Sequence, residues 1–241
     1  MKGNTGADDP LCSEPPSYNT IAPYAPPVLF PPVPSVPLVD SIQLKGVPLG
    51  LEYLSQINQL ILRAKFSVSQ GSDRTFDVLD SVGQRLFQTK QTVPCCVISY
   101  KAKITDNDNR DIMELNESYG CCTRLMTVCS LDGSIIGQIK FHSGSVVIHL
   151  SLLSPNNEVI LLIVGPGFET NVFGNSSFEV KSKDEQHIVG IIKSEAENRM
   201  MVSFPLDLEV TVKSLLLAAS LYLDYVIYEK RQEILYRKNS D

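Results

Sequence analysis

The sequence predicts a mainly β fold, a barrel or a sandwich, with one buried helix near the C-terminus. From Gly50 onward, apolar and polar residues alternate in short runs, and a period of two is typical of half-buried strands. Clusters of turn-forming residues separate these runs at intervals that suit consecutive antiparallel hairpins. One segment after the last run, residues 206–228, is apolar on nearly every face.

In chain order, the first 45 residues differ in composition from the rest. Ten of the fifteen prolines lie within residues 1–40, which carry little charge. Such a segment cannot bury enough apolar surface to offset its loss of chain entropy, so we expect a disordered or polyproline-II arm. It contains Pro15, Pro16, Ser17 and Tyr18, the PPxY pattern that WW domains bind, and a PxxP sequence at residues 31–34 without the flanking basic residue that SH3 grooves usually need. The alternative for both motifs is a solvated spacer.

Three runs after the arm show the alternation most clearly and are predicted strands. Their apolar sides are formed by Leu60, Leu62, Ala64, Phe66 and Val68; by Ile98, Tyr100, Ala102 and Ile104; and by Val146, Ile148, Leu150 and Leu152. Predicted turns lie at residues 80–83, 106–109, 132–133, 154–157 and 183–185. Many strands followed by one apolar helix favour a barrel with a plug, because closure removes the sheet edges and the helix fills the lumen.

The last apolar segment, predicted as a central helix at residues 206–229, fits a protein core better than a membrane. Only 14 residues, 215–228, run without Lys, Glu or Arg, and Ser220 and Asp224 interrupt them. A bilayer requires about 20 apolar residues, and a central Asp costs roughly 2.5–3.5 kcal/mol there. A core helix is therefore favoured, with a membrane span as the alternative. Residues 231–241 are predicted to form a charged tail.

Composition and motifs argue against several classes of function. The net charge of −6 and the pI near 5.1 provide no basic footprint, so no nucleic-acid partner is expected. The polar, acidic start of the chain lacks the apolar region of a signal peptide, which predicts a cytosolic chain whose six cysteines are thiols. There is no nucleophile elbow, phosphate loop or zinc-protease motif. His142, His149 and His187 lie on strand-like runs that we expect to be far apart, so we do not predict an enzyme.

Several motifs, taken together and in order, resemble the phospholipid scramblase family. They are GLEYLSQINQLIL at residues 50–62, SVGQRLF at 81–87, VGP at 164–166, SFEVKSKDEQHIVGII at 177–192, FPLDLEV at 204–210 and KSLLLAASLYLDYVIYE at 213–229. The resemblance implies a closed antiparallel twelve-stranded β-barrel like that of tubby proteins, over residues 46–230, around a buried C-terminal helix. It also implies ATP-independent movement of phospholipids in both directions between leaflets, at the cytoplasmic face of the plasma membrane or another membrane.

The resemblance further implies a calcium site and a lipid anchor, but this chain keeps only a few of the family's residues at each of them. Of the family's acidic loop only Asp207 remains as a carboxylate, with Asn198 as a neutral oxygen, while Ala196, Met200 and Val202 occupy other ligand positions. Calcium takes 6–8 oxygen ligands, so we expect weak or absent binding. The family's palmitoylated cysteine run corresponds to residues 120–129, where Cys121 and Cys122 are the candidate palmitoylation sites.

Two functions follow from these features. The first is phospholipid scrambling, for which Ser220 and Asp224 are the polar candidates on the central helix. The second is a membrane-surface or WW-binding interaction module that moves no lipid, which the reduced calcium and acylation motifs favour.

Overall fold

A barrel of strands around one helix accounts for most of the chain that the structure describes. The computed structural model describes residues 46–65, 74–92, 99–120, 123–143, 145, 147–167, 176–195 and 199–238. The order is a 3-10 helix (Glu52–Gln56), β1 (Gln59–Lys65), β2 (Arg74–Leu79), β3 (Arg85–Thr92), β4 (Lys101–Thr105), β5 (Asp111–Tyr119), β6 (Arg124–Ser130), β7 (Ile135–Phe141), β8 (Val147–Leu153), β9 (Val159–Gly167), β10 (Ser176–Ser182), β11 (Ile188–Glu195), β12 (Arg199–Ser203) and α1 (Val210–Lys238). The proline-rich arm, with Pro15, Pro16, Ser17 and Tyr18, lies outside the described residues, as do Cys121, Cys122 and Asn198.

The strands close into an antiparallel up-and-down barrel. Each pairs with its neighbours in sequence, and β1 closes the barrel by pairing with β12, where Leu60 lies opposite Val202 and Leu62 opposite Met200. Closure satisfies the backbone groups that an open edge would leave unpaired. The predicted twelve-stranded antiparallel barrel is confirmed.

The predicted turns join consecutive strands at one end of the barrel. Gly83 and Gly133 adopt positive φ angles of 85° and 79°, a conformation that glycine adopts without steric cost. Asn109 and Asn157 do the same at φ 61° and 63°, as expected for a residue type that tolerates the left-handed region. We call this the turn end of the barrel. At the opposite end, the helix-exit end, α1 leaves the lumen.

The alternating pattern distinguishes the lumen from the outer wall. Tyr100, Ala102 and Ile104 are buried, whereas Lys101 and Lys103 between them are exposed. The same alternation places Ile148, Leu150 and Leu152 in the core cluster. The strand predictions are therefore confirmed where the structure describes them.

The helix fills the lumen. Within the described residues, Val210–Glu229 is the one helical segment long and apolar enough to cross a membrane, and 89% of its apolar window is buried inside the protein. Leu217, Leu221 and Leu223 are completely buried. The prediction of a core helix is confirmed.

The bounds of this helix differ from the prediction at both ends. Residues 206–209 precede the helix, because the Leu208 amide bonds to the Pro205 carbonyl (3.2 Å) and closes a turn. The Lys213 amide then donates to the Glu209 carbonyl at 2.9 Å, so the helix begins at Val210. At the other end it continues to Lys238, so most of the predicted tail, from residue 231 onward, is helical.

Candidate functional site

Charged and aromatic side chains gather around the helix near the helix-exit end. We call this group the helix-exit cluster, and it consists of Tyr100, Glu117, Tyr119, Arg124, Tyr222, Tyr225 and Glu229. At its centre lies the fully buried carboxylate of Glu117 on β5. This carboxylate accepts hydrogen bonds from the Tyr222 hydroxyl (2.5 Å), the Tyr119 hydroxyl (3.1 Å) and the Tyr100 amide (3.0 Å).

Arg124 on β6 connects the barrel wall to the helix. Its Nε donates to Glu117 at 2.8 Å, and both of its terminal nitrogens donate to one oxygen of Glu229 at 3.0 Å. The guanidinium lies 5.3 Å from the ring centre of Tyr119 and 5.8 Å from that of Tyr222, within the range of cation–π attraction. Although burial opposes it, the hydrogen bond that Arg124 donates to Glu117 and the negative charges around it raise the pKa of Arg124, which therefore stays a cation.

The tyrosines of the cluster remain hydrogen-bond donors at neutral pH. Burial raises the pKa of Tyr119 to about 12 and raises those of Tyr222 and Tyr225 further. Tyr225 donates to Glu229, one helical turn on, at 2.5 Å. Apart from the Tyr100 hydroxyl, which donates to no described group, the cluster is thus a connected network in which donors and carboxylates match, and it holds the helix in one rotation about its axis.

The two polar residues predicted on the central helix have structural partners. Asp224 forms an ion pair with Arg74 of β2, and both side chains are mostly buried. The Ser220 hydroxyl donates to the Leu216 carbonyl of its own helix at 2.7 Å. These contacts of Asp224 and Ser220 hold the helix in place. The role of the two residues in a path for lipid head groups stays a prediction.

A buried lysine fixes the helix at the turn end. The Lys213 ammonium donates to the backbone carbonyls of Leu54 (2.9 Å), Ile57 (2.9 Å) and Leu206 (2.7 Å). These acceptors match the three donors of an ammonium group, and burial lowers the pKa of Lys213. The sequence shows an isolated lysine before an apolar run, but it does not show these acceptors, which lie about 160 residues earlier in the chain or in the preceding turn.

The lumen wall also carries polar side chains that sequence reasoning missed. Gln91 and Thr89 of β3 are fully buried. The Gln91 amide, the Thr89 hydroxyl and the Tyr100 hydroxyl have no hydrogen-bond partner within the described part of the chain. Such groups are commonly satisfied by ordered water. Polar residues at inward positions of an alternating strand were the signal that could have identified them.

The described residues at the predicted calcium-loop positions do not form an oxygen-rich site, and weak or absent calcium binding stays a prediction. Asp207 is exposed in the turn before α1, and Asn198 lies outside the described residues. Met200 and Val202, at two other ligand positions, are buried in the core. Among the described residues, no group of three or more His, Cys, Asp and Glu side chains could hold a metal ion. The described residues therefore do not fit a site that requires 6–8 oxygens.

The expectation that the histidines lie far apart is wrong for two of them. The rings of His142 and His149 stack with their centres 4.4 Å apart. Phe141 lies opposite Leu150 in the β7–β8 hairpin, and this register makes the next residues outward, 142 and 149, cross-strand neighbours. The hairpin register, once known, predicts the pair.

Comparison with known proteins gives consistent matches over most of the chain. The sequence profile of the Scramblase family matches residues 40–230. Phospholipid scramblase 1 of Mus musculus is 25% identical over 213 residues, covering 76% of this chain and 65% of the mouse protein. The chain thus spans just under two thirds of that relative's length. Phospholipid scramblase family member 5 of Homo sapiens is 26% identical over 226 residues, covering 81% of this chain and 83% of the human protein.

Among solved structures, an X-ray structure of a protein from Arabidopsis thaliana is similar with a TM-score of 0.43 and 14% identity, over 69% of this chain and 92% of that one. The family profile covers most of the 241 residues, and the chain therefore belongs to the Scramblase family.

Proposed function

We propose that the protein moves phospholipids in both directions between the leaflets of a membrane, without ATP and without covalent chemistry. The observation that carries this proposal is the family match over residues 40–230, which spans all twelve strands and the apolar part of the central helix. The relatives are named phospholipid scramblases. No catalytic side-chain arrangement is required for such an activity, because no bond is made or broken.

The distribution of charge favours one orientation on a membrane. Exposed or half-exposed basic residues near the helix-exit end are Lys65, Lys90, Lys101, Lys140 and Arg199. The half-exposed acidic residues near that end are Glu195 and Glu229. Near the turn end, the basic residues Arg85, Arg110 and Lys183 are outnumbered by the acidic residues Asp80, Asp106, Asp108, Asp132, Glu158, Asp184, Glu185, Asp207 and Glu209. An anionic leaflet attracts basic groups with about 1 kcal/mol each. We therefore propose that the helix-exit end faces the membrane.

The described residues that flank the candidate acylation sites, Gly120 and Thr123, lie at the same end. Cys121 and Cys122 join Gly120 to Thr123, and the Gly120 amide bonds to the Thr123 carbonyl at 2.9 Å between β5 and β6. Two acyl chains there would anchor the end that carries the basic residues. Because the described part of the calcium loop lacks the oxygens that calcium requires, we propose that lipid movement does not depend on calcium.

The expected result is lipid movement in vesicles containing the full chain, with equal rates in calcium and in chelator. Quenching of a fluorescent phosphatidylcholine in anionic vesicles measures the rate. The double variant Lys101→Glu with Arg199→Glu should weaken vesicle binding by more than about 30-fold, since it removes two attractions of about 1 kcal/mol each and adds two repulsions. Lys183→Glu with Arg85→Glu at the turn end changes the net charge equally and should have little effect. Rates equal to those of protein-free vesicles would contradict the proposal.

A second candidate function is an interaction module, which the fixed helix favours. Lys213 and the helix-exit cluster hold α1 at both ends, and this leaves it no freedom to insert into lipid without breaking buried contacts. Large apolar side chains are exposed near the turn end, namely Leu49, Tyr53, Val82, Leu131, Ile135, Val159, Ile188 and Leu206. Since acidic residues surround them, a protein surface suits this end better than an anionic bilayer.

The proline-rich arm gives this second candidate a direct test. If Pro15, Pro16 and Tyr18 bind a WW domain, Tyr18→Ala should abolish binding of an isolated PPxY-class WW domain in a fluorescence anisotropy titration. Tyr24→Ala, in the same arm but outside the motif, should bind as the unchanged protein does. Both variants should keep the thermal midpoint, and equal binding by Tyr18→Ala would contradict the assignment.

A further inference from the structure

The rim of the barrel at the turn end is apolar along one half of its circumference. Large apolar side chains that are between 39% and 59% exposed lie there, namely Leu131, Ile135, Val159, Ile188 and Leu206. Three of them, Ile135, Val159 and Ile188, are the first residues of β7, β9 and β11. Strands β6 to β12 lie side by side in the barrel, so the five residues follow one continuous arc. We call this arc the apolar rim.

The other half of the turn end has a different composition. Its two hairpin turns, residues 80–84 and 106–110, contribute one large exposed apolar side chain, Val82. Where the apolar rim has an isoleucine or valine at the start of a strand, β3 begins with Arg85 and β5 with Asp111. The apolar rim is therefore a local feature and not a general property of the hairpin turns in this barrel.

The apolar rim faces the outside of the barrel and is accessible there. Val159 pairs with Leu153, and Ile188 pairs with Lys181. The residues before these two partners, Leu152 and Val180, belong to the core cluster. Because successive side chains of a strand point to opposite faces, the partners and the rim residues beside them lie on the outer wall. A binding partner can thus reach the apolar rim without entering the lumen.

The charge beside the apolar rim is negative and is not neutralised within the barrel. Its three hairpin turns and the segment after β12 contain one exposed lysine, Lys183, and the exposed acidic residues Asp132, Glu158, Asp184, Glu185, Asp207 and Glu209. None of these six carboxylates forms an ion pair within the part of the chain that the structure describes. In the other half, Arg110 instead pairs with Asp106 at 2.7 Å and with Asp108 at 3.1 Å.

The negative charge persists at physiological pH and excludes some occupants. Hydrogen bonds from Ser130 and Ser134 lower the pKa of Asp132 to about 2, and a hydrogen bond from Ser182 lowers the pKa of Asp184. Two copies of the apolar rim would repel each other, and an anionic bilayer would repel it as well. An apolar surface bordered by carboxylates is complementary to an apolar surface bordered by basic groups.

We propose that the apolar rim binds a partner protein through an amphipathic helix whose apolar side chains are flanked by lysine or arginine. The apolar face would cover the rim, and the basic side chains would pair with the carboxylates beside it. Alternate strands of a sheet lie roughly 10 Å apart, and seven residues of a helix rise about 10.5 Å. Two apolar residues seven positions apart would therefore contact two neighbouring hairpins.

This proposal rests on the second candidate function and names the surface and the chemistry of the partner. The proposed orientation on a membrane is compatible with it. If the helix-exit end faces the membrane, the apolar rim at the opposite end faces away from it and stays free for a protein.

Fluorescence anisotropy of a labelled amphipathic leucine–lysine peptide, titrated with the full chain, tests the proposal. Ile135→Ser with Ile188→Ser should weaken peptide binding at least tenfold, and so should Glu158→Gln with Glu185→Gln. The matched controls lie in the other half of the turn end. They are Val82→Ser for the apolar change and Asp108→Asn with Asp111→Asn for the charge change, and both should bind as the unchanged protein does. The altered side chains are exposed, so all four variants should keep the urea midpoint.

A second peptide, with glutamate in place of every lysine, should bind at least tenfold more weakly. Equal binding of the two peptides, equal losses in the control variants, or no binding of the leucine–lysine peptide would overturn the proposal. Self-association of the full chain in analytical ultracentrifugation that Ile135→Ser with Ile188→Ser abolishes would also overturn it, because a second copy would then occupy the rim. Flotation with phosphatidylcholine vesicles that the same variant loses would assign the rim to lipid and overturn it too. A failed scrambling or WW-domain assay would leave these results unchanged.

Discussion

Replacing Glu117 by glutamine should lower the free energy of unfolding by about 3 kcal/mol, as measured by urea denaturation. Removing one partner of a buried ion pair costs about 3–5 kcal/mol, because the other charge stays buried and uncompensated. The lower end applies here, since Arg124 keeps its two bonds to Glu229 and is 20% exposed. The buried amide would also place an NH2 group against side chains that donate to the carboxylate.

The same strand offers a matched control. Asp111 at the other end of β5 pairs with Lys103 at 2.8 Å, but both side chains are about half exposed. Exposed ion pairs contribute little to stability, so Asp111→Asn should leave the urea midpoint almost unchanged. Equal effects of Asp111→Asn and Glu117→Gln would contradict the structural role of the helix-exit cluster.

A third variant separates the carboxylate from the aromatic rings. Tyr222→Phe keeps the ring beside Arg124 but removes the hydroxyl that donates to Glu117. A hydrogen bond to a charged group contributes about 1.5–3 kcal/mol. Combining Glu117→Gln with Tyr222→Phe should lower the free energy of unfolding by less than the sum of the two single effects, because both changes act on one hydrogen bond.

Local patterns in the sequence were sufficient for the strands and turns. Alternation over Tyr100, Ala102 and Ile104 depends only on the two-residue period of a strand, and a turn such as residues 80–83 depends on residue types that favour it. The start of α1 was misplaced because Pro205 begins a short turn rather than the helix. Either geometry is compatible with proline, so the sequence alone did not distinguish them.

The helix-exit cluster could not be predicted, because its contacts join residues that are far apart in sequence. Arg124 and Glu229 are 105 positions apart, as are Glu117 and Tyr222. The sequence marked Asp224 as a polar interruption of an apolar helix, but its partner Arg74 is 150 positions away. Only the closed barrel, which brings β2, β5 and β6 around one helix, places these side chains in contact.

Replacing Leu221 by alanine should lower the free energy of unfolding by about 2–5 kcal/mol. Leu221 is completely buried, so the change removes apolar contacts and leaves a cavity in the lumen. Leu206→Ala is the matched control, because Leu206 is 58% exposed in the turn before the helix. It should leave the unfolding midpoint nearly unchanged. Equal midpoints for both variants would contradict a helix packed in the barrel.

The variant Asp224→Leu distinguishes a core helix from a membrane span, because it should destabilise the first and stabilise the second. In hydrocarbon, Asp224→Leu would remove a charge that costs roughly 2.5–3.5 kcal/mol, so insertion would strengthen. In the barrel the same change leaves Arg74, whose side chain is 17% exposed, without its carboxylate. We therefore expect Asp224→Leu to lower the unfolding midpoint of a detergent-free preparation. A rise in that midpoint, or a requirement for detergent, would contradict a helix packed in the barrel, because leucine stabilises this position more than aspartate only in a lipid environment.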